Sequence, residues 1–245
     1  MMPQISPRSN RAILEIRAGT GGTEAGLFAK NLWNMYLNYG KSKGWKFKIL
    51  SKSIGELKSV REITAAIAGK DVYQLLKNES GVHRVQRIPR TESSGRIHTS
   101  TATVAVLPVI PTKKIKLKPK NLEIETYRAS GPGGQFVNKV ETAVRVTHKP
   151  TGITVESQDS RTQQKNKEKA LSLLRMKLAH LLREQKKEKI DDLRRSQIGS
   201  AERSRKIRTY NVPQDRVTDH RINKSWRNLE GILEGDIEEI LAATS

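Results

Sequence analysis

Apolar positions recur along this chain in two periods, and the period assigns most of its elements. Ala12-Ile13-Leu14-Glu15-Ile16-Arg17 is a short apolar-rich run that stops at Gly19-Thr20-Gly21-Gly22, the pattern of a strand entering a turn. Beyond it, Phe28, Leu32, Met35, Tyr36 and Tyr39 recur at helical spacing, which predicts a helix capped by Thr23. Residues 46–50 predict a second strand, with Trp45, Phe47 and Ile49 on one face. The spacing of Val60, Ile63 and Ile67 predicts a helix over residues 56–68, ended by Gly69. Residues 72–76 are apolar but too few to assign, residues 79–100 read as a long polar loop, and residues 101–107 read as a strand.

Pro108, Pro111 and the basic tract 113–120 mark a linker, because proline is disfavoured inside elements and like charges extend a chain. A strand over residues 122–127 then leads into Ser130-Gly131-Pro132-Gly133-Gly134-Gln135-Phe136-Val137-Asn138. The alternating runs 143–147 and 152–156 predict a hairpin turning at Lys149-Pro150-Thr151-Gly152. A long helix follows over residues 162–189, burying Ala170, Leu173, Leu174, Leu178, Leu181 and Leu182. Residues 206–221 are polar and turn-rich, and a last helix over residues 225–241 carries Leu229, Ile232, Leu233, Ile237, Ile240 and Leu241. No internal repeat is present. The pattern is that of an α+β protein of two units, each a small sheet with helices on it.

Charge changes this picture from a fold to a class of partner. The 245 residues carry 46 Lys and Arg against 25 Asp and Glu, a net charge of +21. An excess of this size repels itself and suits a phosphate backbone. Aromatic residues make up only 4%, too few for a groove that stacks successive single-stranded bases. Cysteine is absent, which excludes disulfides, thiolate metal sites and cysteine nucleophiles, and no metal site or cofactor is expected. No run of about 18 apolar residues is present, and residues 1–10 lack a signal-peptide core, so no membrane association is expected. The expected compartment is a bacterial cytoplasm or an organellar matrix or stroma.

The glycine-rich loop is the sharpest chemical feature. Glycine reaches φ values closed to other residues and lets the main chain approach a crowded site. Gly131-x-Gly133-Gly134 lacks the Lys-Ser/Thr that follows in a phosphate-binding P-loop, so the glycines alone read as the tip of a flexible hairpin. With its flanks, from Arg128 to Asn138, the loop resembles the signature of class I peptide chain release factors, of bacterial and organellar type. Ser157-Gln158-Asp159-Ser160-Arg161-Thr162-Gln163-Gln164-Lys165-Asn166-Lys167 and Arg208-Thr209-Tyr210-Asn211-Val212-Pro213-Gln214-Asp215-Arg216-Val217-Thr218-Asp219-His220-Arg221 are similar to that family as well. So is Gly81-Val82-His83-Arg84-Val85-Gln86-Arg87-Ile88-Pro89-Arg90-Thr91, continuing through Ser93-Ser94-Gly95-Arg96-Ile97-His98-Thr99-Ser100. The resemblance runs from about Ile13 to the end of the chain.

The resemblance implies a codon-recognition α/β superdomain over residues 1–111 and 196–245, and a Gly-Gly-Gln domain, with a small sheet and a long basic helix, over residues 112–195. It implies that Gly133 and Gly134 shape the backbone, and that the main-chain amide of Gln135 stabilises the oxyanion formed when water attacks the peptidyl-tRNA ester. Pro89-Arg90-Thr91 matches the Pro-x-Thr form of the release factor 1 branch, which reads UAA and UAG; the other branch carries Ser-Pro-Phe and reads UAA and UGA. By the same resemblance, Thr91 bonds the first two bases and His98 stacks between the second and third. Gln86 and Thr99 then address the third base, and Gly21 and Glu24 the first-position uracil. Arg90 occupies the variable position. Lys165, Lys167, Lys169 and Arg175 on the basic helix are candidate contacts to ribosomal RNA. The implied partners are the ribosome (16S-type and 23S-type RNA), the stop codon, peptidyl-tRNA, a glutamine methyltransferase acting on Gln135 and a class II release-factor GTPase. Residues 206–221 match the family's joint between the two units, where a switch couples codon reading to release.

Full-length members begin with a helical domain, whereas here residues 1–10 lead almost directly into the first shared strand; the expectation is a chain lacking that domain, as a fragment or a naturally short form. Two other functions stay open at this point. One is a ribosome-rescue hydrolase without codon dependence, against which Pro89, Thr91 and His98 speak. The other is an RNA-binding protein without hydrolysis, against which Gln135 speaks.

Overall fold

A computed structural model describes residues 10–89, 95–109, 117–128, 140–199 and 206–244. The chain divides into one unit of residues 1–110 and 190–245 and another of residues 111–189. The first is built on strands β1 (Arg11–Ala18), β2 (Lys46–Ile54), β3 (Val60–Ala68), β4 (Gly81–Arg87), β5 (His98–Pro108), β9 (Lys206–Asn211), β10 (Arg216–Asp219) and β11 (Lys224–Arg227). They form one eight-stranded sheet in the order β11-β10-β9-β4-β5-β1-β3-β2. Every pairing in it is antiparallel except β4 with β9, which run parallel.

Helix α1 (Gly22–Ser42) packs Phe28, Leu32, Met35, Tyr36 and Tyr39 against one face of this sheet. The sheet answers with alternate residues, including Leu14 and Ile16 of β1, Ile63, Ala65 and Ile67 of β3, and Ala102, Val104 and Val106 of β5. The short helix α2 (Val72–Leu76) adds Val72 and Leu76 to the same core.

Several elements differ from the sequence expectation. Residues 60–68 are strand, not helix, after a 3-10 turn at Glu56–Lys58. The spacing of Val60, Ile63 and Ile67 is helical, and a register irregularity opposite Ile54 is what brings Val60 onto the buried face of the strand. Ala65 is buried between two half-buried neighbours, and hydrogen bonds to β1 and β2 on both sides favour extended backbone. Residues 81–87 are a central strand instead of loop: Val82, His83 and Val85 are buried, and β4 pairs on both edges. Ile49 is 49% exposed because β2 is the outermost strand. The predicted C-terminal helix is broken into β11, α4 (Leu229–Glu234) and α5 (Glu238–Thr244), with Asn228 left-handed at φ 65° and Gly235 at φ 120°. The stretch 206–221 holds two paired strands, β9 and β10, in which Arg208 and Asp219 are buried.

In the second unit, β6 (Leu122–Tyr127), β7 (Ala143–His148) and β8 (Ile153–Ser157) form an antiparallel sheet in that order. The β7–β8 turn sits where the sequence placed it, with Gly152 at φ 67°. Helix α3 (Gln163–Ile198) runs nine residues longer than the expected end at Lys189, and from Ile190 onward belongs to the first unit. Its Ala170, Leu174 and Leu178 close the core with Val144, Val146 and Val155, whereas Leu182 is 50% exposed.

Candidate functional site

The N-terminus of α1 is seated on the start of β5 by backbone. Gly19 N–H donates to the Thr101 carbonyl at 2.8 Å, Thr101 N–H to the Thr20 carbonyl at 2.9 Å, and Thr20 N–H to Thr101 Oγ1 at 2.9 Å. Gly21 then turns at φ 131°, and a Cβ on it would stand 2.7 Å from Ser100 Cβ. No side chain fits there without displacing the strand. One turn on, Glu24 is 7% exposed and ion-paired to Arg87 of β4.

Register decides how the other candidates gather. In the β4–β5 pair, Gln86 stands opposite Thr99, and Arg87 opposite His98. Because successive strand residues point to opposite faces, Arg87, His98 and Ser100 share the α1 face with Gly21 and Glu24, while Gln86 and Thr99 lie on the other. Gln86 is tied to the neighbouring strand: its carbonyl accepts from Val212 N–H at 2.9 Å and its Oε1 from Asn211 Nδ2 at 3.4 Å. Thus Gly21, Glu24, Gln86, His98 and Thr99, far apart in sequence, meet at one end of the sheet, divided between its two faces. Pro89 is buried just beyond β4. Arg90 and Thr91 lie outside the described residues.

Behind this end stands a buried cluster that sequence reasoning missed. Arg208 of β9 is fully buried, its guanidinium donating to both oxygens of Glu79 at 2.6 and 2.8 Å and to Asp219 of β10 at 3.0 Å. Tyr36 of α1 donates to Glu79 Oε2 at 2.9 Å, and Arg221 to Asp219 Oδ2 at 2.6 Å. Two cations meet two carboxylates, so the buried charge is balanced. Burial pushes the Glu79 carboxyl up, but the Arg208 guanidinium and the Tyr36 bond outweigh it and hold the group below its usual value. Asp219, also opposed by burial, is brought down to about 2 by Arg221 and Arg208. His83 is pushed down to about 4 by burial and by Arg208. Its Nε2 lies 2.9 Å from the Glu79 carbonyl, so that nitrogen carries the proton and Nδ1 accepts from Tyr210 OH at 3.3 Å. The sequence signal for this cluster was present but ambiguous, since charged residues in a polar stretch read as surface.

In the second unit, Gly133, Gly134 and Gln135 lie outside the described residues; what is described is the chain on either side of them. Tyr127 pairs with Ala143 across β6 and β7, and its hydroxyl donates to Glu156 Oε2 at 2.9 Å. C-terminal to them in sequence, Asn166 is fully buried and donates from Nδ2 to the Thr142 carbonyl at 2.8 Å. Lys165, Lys167, Lys169 and Arg175 are all exposed on α3. Lys165 and Lys169 lie one turn apart, Lys167 points to another side, and Lys169 already pairs with Asp159 at 2.6 Å. Among the described residues, no three metal-ligating side chains converge, and no helix is long and apolar enough to cross a membrane.

Comparison with known proteins places this arrangement. The PCRF domain model matches residues 1–104 and the RF-1 domain model residues 111–221. The chain is 56% identical to peptide chain release factor 1 of Thermotoga maritima over 97% of its own length and 70% of that protein's. It is also 56% identical to the peptide chain release factor 1 of Aquifex aeolicus, over 99% of this chain and 67% of that one. Among solved structures, RF2 of Thermus thermophilus matches with a TM-score of 0.59 at 38% identity, covering all of this chain and 69% of that one. Matches of this identity and extent, on a fold whose strand register assembles the motif residues, establish that the chain belongs to the class I peptide chain release factors, the ribosome-interacting proteins that terminate translation.

Proposed function

We propose that this release factor reads UAA and UAG through the sheet end of its first unit and triggers peptidyl-tRNA hydrolysis through the glycine-rich loop of its second. The observation that carries the codon assignment is the register that sets Gln86 opposite Thr99 and Arg87 opposite His98, at the end of the sheet where Gly21 and Glu24 begin α1. On this reading the α1 face receives the first two bases, with Gly21 and Glu24 at the first uracil and Thr91 bonding both. Gln86 and Thr99 take the third base on the opposite face, and His98 stacks at the boundary. Small hydroxyl, amide and imidazole groups on a rigid sheet suit single-stranded bases, because they discriminate by hydrogen bonds held in fixed directions.

At the other end, water attacks the ester carbonyl, the carbonyl oxygen takes the charge, and collapse of the tetrahedral intermediate breaks the bond to the tRNA ribose oxygen, which takes up the proton lost by the water and leaves as a hydroxyl. The Gln135 main-chain N–H stabilises that oxyanion, with Gly133 and Gly134 permitting the close approach; a donor so placed is worth roughly a hundredfold or more in rate. Lys165, Lys167, Lys169 and Arg175 neutralise ribosomal RNA phosphates beside the loop. Residues 1–111 with 196–245 carry codon reading and residues 112–195 carry release. A methyltransferase acting on Gln135 and a GTPase that recycles the factor complete the partners, in a compartment that holds bacterial-type ribosomes.

The test is peptide release from ribosomes programmed with UAA, UAG, UGA, a sense codon or an empty A site. Release is expected at UAA and UAG alone. Equal release at UGA overturns the codon assignment, and release confined to empty A sites replaces it with ribosome rescue.

A further inference from the structure

Asn166 occupies a position where an apolar residue would be expected. It begins the stripe continued at four-residue intervals by Ala170, Leu174 and Leu178, all buried against the sheet of the second unit. An amide placed there costs free energy unless every polar atom is bonded. Here all of them are. Nδ2 donates to the carbonyls of Thr142 and Ser160, both at 2.8 Å, while Oδ1 accepts from Ser160 N–H at 2.8 Å and faces Ser157 Oγ at 3.5 Å. Gln163, one turn earlier, donates from Nε2 to the Glu141 carbonyl at 3.0 Å. Two side chains of one helix turn therefore hold consecutive carbonyls, Glu141 and Thr142, at the C-terminal base of the Gly-Gly-Gln loop. The N-terminal base is held independently by the pairing of Tyr127 with Ala143.

We propose that Asn166, seconded by Gln163, is a positioning residue for peptide release. It fixes the backbone at Thr142, and through it the place of the Gln135 amide in the active site. This rests on the reading that puts the oxyanion donor at Gln135. The sheet and helix are already held together by Val144, Val146, Val155, Ala170, Leu174 and Leu178. The amide adds what that apolar core cannot, a directional tie on the loop base. Catalysis by positioning is steep in distance, so a loop base released from this tie costs rate more than affinity.

The experiment measures single-codon peptide release on UAA-programmed ribosomes with the full chain and its Asn166→Asp, Gln163→Ala, Leu178→Ala and Gln135→Pro variants. Asn166→Asp turns a donor into a carboxylate oxygen facing two carbonyls. It is expected to lower kcat at least about tenfold while leaving the half-saturating concentration within about twofold. The partition of the peptidyl ester between water and added hydroxylamine should shift with it, because a displaced amide favours the two nucleophiles unequally. Leu178→Ala, which thins the same core, should lower the melting temperature yet keep kcat and the partition ratio. Gln163→Ala alters an exposed side chain, so it folds in any case; it should lower kcat about threefold, the worth of one hydrogen bond. Unchanged kcat in both Asn166→Asp and Gln163→Ala overturns the proposal, as does a loss in Leu178→Ala that matches theirs. Full release by Gln135→Pro instead overturns the underlying reading of the loop.

Discussion

His83 shows how one residue can report on a whole unit. It is fully buried between the Glu79 carbonyl and the Tyr210 hydroxyl and faces Arg208, so its imidazole stays neutral down to about pH 4. In the unfolded chain it protonates near its ordinary value of 6.5. The folded value is the depressed one. Its contribution to stability is therefore complete above pH 6.5 and drains away as pH falls towards 4, by up to about 1.4 kcal/mol per pH unit. His220, lowered by burial and by Lys206 and Arg84, acts in the same direction, so the comparison must be with a variant. Urea unfolding followed by tryptophan fluorescence isolates the first unit, because Trp33, Trp45 and Trp226 all belong to it. Between pH 7 and pH 5 the parent chain should lose clearly more stability than His83→Gln; equal losses would remove His83 as the cause. At this scale the sequence offered His83 only as part of a motif. What makes it titrate abnormally is burial beside a guanidinium, which comes from a strand 125 residues later in the chain.

Elements were legible where one period dominated. In α1 the three- and four-residue spacing of large apolar side chains admits no competing reading, and β7 and β8 alternate apolar with polar residues. Legibility failed where pairing outweighed local preference. The β3 run is compatible with helix until strands take both its edges, and β9 and β10 look like surface loop because Arg208 and Asp219 are charged. The C-terminal pattern misled for a different reason. Its apolar spacing does continue from α4 to α5, but Gly235 interrupts the backbone at φ 120°, and a Cβ there would stand 2.9 Å from the Tyr39 backbone nitrogen. Gly235→Ala should accordingly destabilise the first unit by about 1–3 kcal/mol, read by the same fluorescence assay. A neutral effect would mean that the turn can be rebuilt as continuous helix.

Over the whole molecule the net charge of +21 sets how the factor meets its partner. Ribosome affinity should fall steeply with salt, as condensed counterions return to the phosphates. A plot of log affinity against log salt should flatten by roughly 0.7–0.9 for each lysine removed from a phosphate contact. Lys165→Ala and Lys167→Ala are expected to show this, whereas Lys169→Ala should change the slope less, since its ammonium is held 2.6 Å from Asp159. Equal slopes for all three variants would show that the ion pair opens on binding or that these lysines do not reach phosphate.

The sequence by itself determined the class of partner, the two-unit α+β organisation and the family, because charge, periodicity and short motifs are local properties of the chain. Only the tertiary structure decided that Gln86 and Thr99 stand on the opposite face from Glu24 and His98, that Arg208 is enclosed by two carboxylates, and that Asn166 is buried and bonded to the Thr142 carbonyl. Each of these depends on strand register or on burial, which emerge when distant segments pack and compete for the same hydrogen bonds.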